Sequence, residues 1–229
     1  MSTQNEEEVQ QEYVTAMGPE LGKVFFELRN ECIMLHWKWE EYVALFGTNP
    51  QRVELINKAA QAFFWVVQDT LWRDVLLSIA RLTDPANSGP GKDNLTLQRL
   101  RGLAAPAIQA EVGKHLTDCL TKTEFARDWR NRHIAHSDLA LALNKHSARP
   151  LALASRRSVN EALAAFVELL NAVQVHYTHA EAMYELRPCG NAESLLYVLR
   201  DGIKAEEDWY KRMKSGDYGP DDFGPGEPI

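Results

Sequence analysis

Hydrophobic residues recur along most of the chain at spacings of three and four, the period of an amphipathic α-helix. A first long helix is predicted to begin at Pro19 and to end at residues 47–50, whose sequence Gly-Thr-Asn-Pro also starts the next helix. This second helix is predicted to run to about Leu82. Apolar residues cover most of its surface, so we expect it to lie at the centre of a bundle, antiparallel to the first helix.

Turn-forming residues occupy positions 83–92, and further helical segments are predicted beyond that loop. These segments cover residues 95–103, a stretch from about 106, and residues 123–136, 158–186 and 192–213. Ser158 and Glu161 have the spacing of a capping box at the start of the longest segment. The sequence Arg-Pro-Cys-Gly-Asn at 187–191 is predicted to end it.

The segment between residues 137 and 157 breaks the helical pattern. Residues 139–143 and 151–154 alternate leucine with alanine, and a period of two is that of a β-strand, although alanine is a poor strand former. We therefore expect a loop or a short hairpin arm at this position. The predicted fold class is all-α, an antiparallel helical bundle with this arm after the helix that ends near residue 136.

The two ends of the chain differ in composition from its middle. Residues 1–16 are acidic and predicted to be flexible, residues 17–213 to form one helical domain, and the Gly- and Pro-rich acidic tail 214–229 to be disordered. No apolar run approaches the roughly 18 residues that span a bilayer, and the polar N-terminus is unlike a secretory signal. Three cysteines without a C-x-x-C pair favour reduced thiols in a soluble cytoplasmic protein.

Charge is distributed unevenly along the chain. The net charge of −7 argues against a protein that coats nucleic acid non-specifically. Residues 127–157, the basic segment, nevertheless hold seven Lys or Arg against two acids, a local charge of +5 that leaves −12 for the rest. This segment is either a localised anion-binding site or a solvated loop that happens to be basic, and charge alone does not decide between them.

The most informative stretch is residues 130–136, Arg-Asn-Arg-His-Ile-Ala-His, which we call the motif. RNA cleavage requires removal of the 2′-hydroxyl proton, a proton for the leaving 5′-oxygen, and a cation beside the charged phosphorane. A histidine, with an ordinary pKa of about 6.5, can make either proton transfer near neutrality. Arginine offers a permanently charged planar fork to phosphate oxygens, and asparagine can orient it by hydrogen bonds. This chemistry needs no metal.

The spacing within the motif leaves the assignment of roles open. At about 100° per residue, Arg130 and His136 lie about 120° apart around a regular helix. A compact site therefore needs the helix to end near Ala135, or two copies of the motif to meet across a two-fold axis. Arg132 and His136 share a helix face, and so do Arg130 and His133.

Arg130-Asn131, four intervening residues and His136 resemble the signature of the HEPN superfamily. More of the chain, roughly residues 20–200, is similar to its abortive-infection (AbiU-type) branch. The matching stretches are the Trp-rich helix 63–82 with its ending Ala-Arg-Leu-Thr-Asp-Pro at 80–85, Asn-Leu-Thr-Leu at 94–97, and residues 129–139.

The resemblance implies a HEPN-like helical bundle that forms a homodimer with both motifs facing one cleft. It also implies a metal-independent endoribonuclease that acts in phage defence or as a toxin, without a cofactor. Arg130 would bind phosphate, Asn131 would orient it, and His136 would be the general acid and base. RNA and a second copy would be the partners, with an antitoxin or defence protein as a further one and no membrane. Some HEPN toxins are controlled by modification of a tyrosine two residues after the histidine, where this chain has Asp138.

Several alternatives accompany this hypothesis. Some HEPN proteins have no nuclease activity, so a non-catalytic RNA- or nucleotide-binding or dimerisation module is the alternative function. Arg127, Arg132 and His133 are candidate substrate-binding residues, and we favour a structural role for His133. Two H-x-x-H pairs, at 133/136 and 176/179, could together ligate zinc, but no acid or cysteine is placed to complete a site.

Polar and aromatic residues near the end of the second helix also allow two roles. Arg81 and Asp84 could reach the candidate site, but we favour an internal salt bridge that holds the helix end to the following loop. Trp65, Trp72 and Trp129 could be platforms for base stacking, but we favour positions in the core.

Overall fold

The computed structural model describes residues 5–184, 190–219 and 222. Within these ranges the chain forms nine α-helices: α1 Glu6–Met17, α2 Pro19–Tyr42, α3 Pro50–Leu82, α4 Gln98–Leu103, α5 Gln109–Lys122, α6 Glu124–Trp129, α7 Leu139–Ala142, α8 Arg156–Thr178 and α9 Ala192–Ser215. Two π-helical turns, Val43–Gly47 and Arg130–Ile134, follow α2 and α6. The described ranges contain no β-strand, only an isolated bridge between Asn87 and Asp93. The predicted all-α class is confirmed.

The helix boundaries predicted at prolines are confirmed. Helix α2 begins at Pro19, and α3 begins at Pro50 and ends at Leu82. Proline suits a first helical position because its ring fixes φ and the N–H that it lacks would be unpaired there. Helix α3 is interrupted at Ala60, where φ is −163° and ψ is 69°, and the apolar pattern gave no sign of this break.

The described residues divide into two compact units. Unit 1 comprises residues 1–40 and 69–186, and unit 2 comprises residues 41–68 and 187–229, each as far as it is described. The single domain predicted for residues 17–213 stays a prediction, because a division by internal contacts does not establish which parts fold independently.

Unit 1 contains the motif, and its helices pack in antiparallel pairs. The middle of α2 faces the end of α3, where Arg81 pairs with Glu31 at 3.5 Å. Residues late in α2 face earlier positions of α3, where Lys38 pairs with Asp74 at 2.7 Å. The antiparallel arrangement predicted for these two helices is confirmed. Helices α5 and α8 also pack closely, and Cys119 Sγ lies 3.2 Å from the backbone oxygen of Ala165.

Large apolar side chains fill the interior of unit 1. Those with the least exposure include Phe25, Leu28, Leu35, Val75, Leu76, Ile79, Phe166, Leu169 and Leu170. They come from α2, the later part of α3 and α8, so these three helices supply most of the core that supports the motif.

Unit 2 is built from the first π turn, the early part of α3, and α9. Its core consists of Leu45, Ile56, Phe64, Ala192 and Leu196. Three neighbours of Phe64 on α3 are exposed: Phe63 at 62%, Trp65 at 67% and Val66 at 53%. The predictions that α3 lies at the centre of a bundle and that Trp65 is a core residue are therefore wrong for this stretch of the chain.

Three local predictions need correction. The N-terminal segment is not simply flexible, because residues 6–17 form α1, which a capping box between Asn5 and Glu8 stabilises. The N-cap of α8 is Ser155, whose side chain accepts from the Ser158 N–H, and not Ser158 itself. Helix α8 ends at Thr178 and not near residue 186.

The predicted arm after the motif is a loop and not a hairpin. Residues Leu139–Ala142 form the short helix α7, with Asp138 as its N-cap, and residues 151–155 have no regular structure. Alanine contributes little cross-strand packing, which explains why alternation alone did not produce strands. The end predicted at 187–191 for the helix from residue 158 is wrong, because α8 ends at Thr178. The predicted disordered tail lies largely outside the described residues.

Candidate active site

The motif begins where the α-helical hydrogen-bond pattern changes. Helix α6 ends at Trp129 and continues into the π turn Arg130–Ile134. The Ala135 N–H donates to the Arg130 oxygen over 2.8 Å, which closes this wider turn. The helix therefore ends near Ala135, as a compact site requires. π turns are rare and often occur at functional sites, and sequence spacing on a regular helix could not reveal one.

Arg130 is held on two sides of its guanidinium group. Its Nη1 donates to both carboxylate oxygens of Asp84, and its Nε donates to Asn131 Oδ1 over 3.0 Å. The side chains of Arg130 and Asp84 are 24% and 19% exposed. Among the described residues, Nη2 of Arg130 makes no hydrogen bond. One edge of a fixed, charged fork thus remains available to a ligand.

Asp84 lies in a loop that is itself firmly anchored. The preceding residue, Thr83, is fully buried, and its hydroxyl donates to the oxygen of Ile79 over 3.1 Å. The Thr123 hydroxyl, at the start of α6, lies 3.2 Å from the Thr83 hydroxyl. The Thr83 carbonyl accepts from Gln98 Nε2 at 3.0 Å and from Arg127 Nη2 at 2.9 Å. The end of α3 and the start of α6 are therefore joined independently of Asp84.

Arg127 and Arg132, both candidate substrate-binding residues, contact the protein itself. Arg127 donates to the Thr83 carbonyl, as described above. Arg132 Nη1 lies 3.3 Å from Asp128 Oδ1 and 3.2 Å from the oxygen of Pro150, and Nη2 donates to the oxygen of Arg149. The Arg132 contacts hold the loop after α7 against the motif, and the Arg127 contact joins α6 to the end of α3.

The loop after α7 is held by further contacts to α6. Asp128 Oδ2 accepts from the Ala152 N–H over 2.8 Å, and Trp129 Nε1 donates to the Ala152 oxygen over 2.8 Å. Arg132 also pairs with Asp138 at 3.6 Å. The Leu141 N–H and, to a smaller extent, Arg132 lower the pKa of the Asp138 carboxyl. Asp138 therefore has a structural role as a helix cap. It stands at the position where some HEPN toxins carry the tyrosine that is modified to control them.

The two histidines of the motif have different surroundings. His133 packs edge-to-face against Trp129, with ring centroids 5.5 Å apart, and Trp129 packs in turn on Trp72 at 6.2 Å. This agrees with a structural role for His133 and with packing roles for both tryptophans. His136 is exposed, and among the described residues it makes no hydrogen bond or ion pair.

The structure thus brings together Arg130, Asn131 and Asp84, but it does not join Arg130 to His136. No hydrogen bond connects those two side chains within the described part of one chain. The sequence allowed Asp84 either to reach the candidate site or to form a local salt bridge, and the local salt bridge was favoured. Its actual partner is 46 residues away, and Arg81 pairs with Glu31 instead. The match around residues 80–85 was the one sequence signal that pointed to Asp84.

Ion pairs reduce the charge of the basic segment. Arg130 pairs with Asp84, Arg149 pairs with Asp128 at 3.2 Å, and Arg157 pairs with Glu161 at 2.7 Å. Two of these acids, residues 84 and 161, lie outside the segment in the sequence. The local charge of +5 therefore overstates the positive charge that a ligand would meet.

Metal-binding clusters and membrane-spanning helices are absent from the described ranges. These ranges contain no group of three or more His, Cys, Asp or Glu side chains arranged to hold a metal ion. None of the helices in these ranges is long and apolar enough to cross a bilayer.

An antiparallel helical bundle with Arg130, Asn131 and His136 at the end of one helix defines a HEPN-type domain. The family model HEPN_AbiU2, described as AbiU2, matches residues 18–187, and the chain belongs to this abortive-infection family. The match includes the motif and Asp84. No curated protein and no solved structure matches the chain.

Proposed function

We propose that the protein is a metal-independent endoribonuclease that acts in abortive infection, as a phage-defence nuclease or toxin. The observation that supports this most directly is the orientation of the Arg130 guanidinium group. Its Nε and Nη1 are hydrogen-bonded, and its Nη2 makes no hydrogen bond among the described residues. Arg130 lies six positions before His136, an exposed histidine at the end of the same helix.

The proposed reaction is a transesterification within the RNA strand. The 2′-oxygen attacks the adjacent phosphorus and loses its proton to a base, while the bond from phosphorus to the 5′-oxygen breaks and that oxygen takes a proton from an acid. The products are a 2′,3′-cyclic phosphate and a 5′-hydroxyl end. Nη2 of Arg130 would donate to the phosphate oxygens as charge develops, and His136 would transfer the protons.

A homodimer would place the arginine of one copy beside the histidine of the other. His133 is packed against Trp129, so His136 would transfer both protons of one site: it takes the 2′-hydroxyl proton and then gives it to the 5′-oxygen. Two motifs that face a single cleft would form two equivalent sites, each with the Arg130 of one copy and the His136 of the other. RNA is the proposed substrate, and an antitoxin or defence protein is the proposed regulator.

The Asp84 ion pair also favours a second candidate, a non-catalytic module that binds RNA or a nucleotide. A carboxylate beside Arg130 weakens the positive charge that a phosphorane would need. This alternative predicts salt-sensitive binding of RNA without cleavage.

Replacement of the motif residues tests the proposal. Purified protein should cleave end-labelled RNA in EDTA and leave a cyclic or 3′-phosphate end. Arg130→Ala and His136→Ala should each lower the cleavage rate about 100-fold or more, since each removes a group that acts on the transition state.

The matched control is Arg157→Ala. Arg157 belongs to the same basic segment, and its side chain is 87% exposed, so its removal tests general electrostatic attraction alone. Equal cleavage by the Arg130→Ala, His136→Ala and wild-type proteins would exclude the proposed mechanism. RNA binding by a wild-type protein that never cleaves would support the second candidate instead.

A further inference from the structure

Asp84 lies outside the motif in the sequence, yet its carboxylate faces the guanidinium group of Arg130. We infer that Asp84 is a positioning residue for the proposed cleavage reaction, which fixes Arg130 so that the Nη2 edge faces the RNA phosphate. This inference rests on the proposed function.

The geometry of the guanidinium group determines which edge is free. The group is planar and carries five N–H donors, one on Nε and two on each Nη. Asn131 takes the Nε donor, and Asp84 takes Nη1. Two contacts on different nitrogens fix the guanidinium plane and its rotation about the side-chain bond. The two N–H groups on Nη2 therefore point in a fixed direction. A phosphate oxygen can be met there without rearrangement of the side chain.

The carboxylate can impose this geometry because its own position is fixed. Thr83 is fully buried, and contacts to Thr123, Gln98 and Arg127 hold it in place. Asp84 follows directly in the chain, and its side chain is 19% exposed. Solvent therefore screens this pair less than an ion pair on the open surface.

A purely structural ion pair is the competing interpretation. It would join the end of α3 to the motif and have no effect on the reaction. That junction is already made by Arg127, whose Nη2 donates to the Thr83 carbonyl, and by the Thr83–Thr123 hydroxyl pair. Loss of the Asp84 charge should therefore release the guanidinium group of Arg130 and leave the junction in place.

The test replaces Asp84 by asparagine in the full chain. Asp84→Asn keeps the size of the side chain but removes its charge and one acceptor oxygen. We expect kcat for RNA cleavage to fall about 10- to 100-fold, the usual effect of a misplaced catalytic group. We expect KM to change less than about threefold, since Arg130 keeps its own charge. Asp84→Glu keeps the negative charge but extends the side chain by one methylene group, and its kcat should be intermediate.

Two controls separate positioning from stability. Asp93→Asn makes the same charge change in the same loop. Asp93 pairs with Arg99 at 2.9 Å and not with a residue of the motif, so this variant should cleave like wild type. NMR of the Arg130 guanidinium nitrogens should show hindered rotation in the wild type and free rotation in Asp84→Asn. If Asp84→Asn does not fold, kcat and rotation are compared between wild type and Asp84→Glu.

The outcomes are distinct. A lower kcat with a freed guanidinium group supports the inference. Unchanged kcat, or a guanidinium group still held in Asp84→Asn, overturns it while the proposed function stands. A wild-type protein without cleavage overturns the proposed function itself, and the role of Asp84 with it.

Discussion

Cys32 and Cys119 are buried, and burial raises the pKa of each thiol to about 12. The folded protein thus binds these protons more tightly than the unfolded chain, in which the thiols ionise near pH 9. The resulting stabilisation is constant at neutral pH and is lost as the pH rises from about 9 to 12. Cys119 also has the Ala165 oxygen near its sulfur, so both thiols are structural groups and not reactive ones.

We predict that neither thiol reacts in the folded protein. A pKa of about 12 lowers the thiolate fraction at pH 8 roughly a thousandfold relative to an ordinary thiol. A Cys189→Ser variant, which removes the cysteine outside the described residues, should show no labelling by a thiol reagent at pH 8 and two labelled thiols in urea. Rapid labelling of the folded protein would contradict the burial of these side chains.

At the residue scale, sequence could propose Arg130, Asn131 and His136 as candidates because their chemistry and spacing are local properties. It could not assign partners to the neighbouring arginines. Arg127 donates to the Thr83 carbonyl, and Arg132 donates to the Pro150 carbonyl beside its ion pairs with two aspartates. A backbone carbonyl cannot be recognised as an acceptor from the pattern of side chains. Long-range contacts of this kind decide whether a cation is available to a ligand.

Helices α1 and α2 approach closely at Gly22. An added Cβ there would lie 2.6 Å from the Tyr13 oxygen and 2.6 Å from Val14 Cα. Backbone atoms cannot move aside as a flexible side chain can, so α1 would have to shift. Gly22→Ala should destabilise the protein by about 1–3 kcal/mol, measured by chemical denaturation.

Gly102→Ala is the matched control for this prediction. Gly102 lies in α4, and an added Cβ there meets nothing within 4 Å. Alanine should leave stability unchanged or raise it by up to about 1 kcal/mol through helix propensity. Equal stability of the Gly22→Ala protein and the wild type would show that α1 does not pack on α2 at this point.

At the element scale, periodicity predicted the long helices well, and prolines marked the starts of α2 and α3. Features set by hydrogen bonds of single residues were missed. Helix α1 has reciprocal caps between Asn5 and Glu8, the π turn is closed by a bond to the Arg130 oxygen, and α8 begins at the cap that the Ser155 side chain provides. Serines stand at both 155 and 158, so the sequence alone did not show which of them is the cap.

At the scale of the whole molecule, we propose that two chains share the site. Arg130 and His136 are not joined by a hydrogen bond within the described part of a chain, and His136 has no polar partner there. A site shared across a two-fold axis would combine the arginine of one copy with the histidine of the other.

Mixing two inactive variants tests the shared site. When Arg130→Ala and His136→Ala chains exchange subunits, half of the dimers contain one chain of each kind. Each mixed dimer has one site with both intact residues and one site with neither. We expect about a quarter of wild-type cleavage to return, measured on end-labelled RNA after unfolding and joint refolding. The same mixture without subunit exchange should remain inactive. A mixture that stays inactive after exchange, with mixed dimers confirmed by mass spectrometry, would place Arg130 and His136 of one chain in the same site.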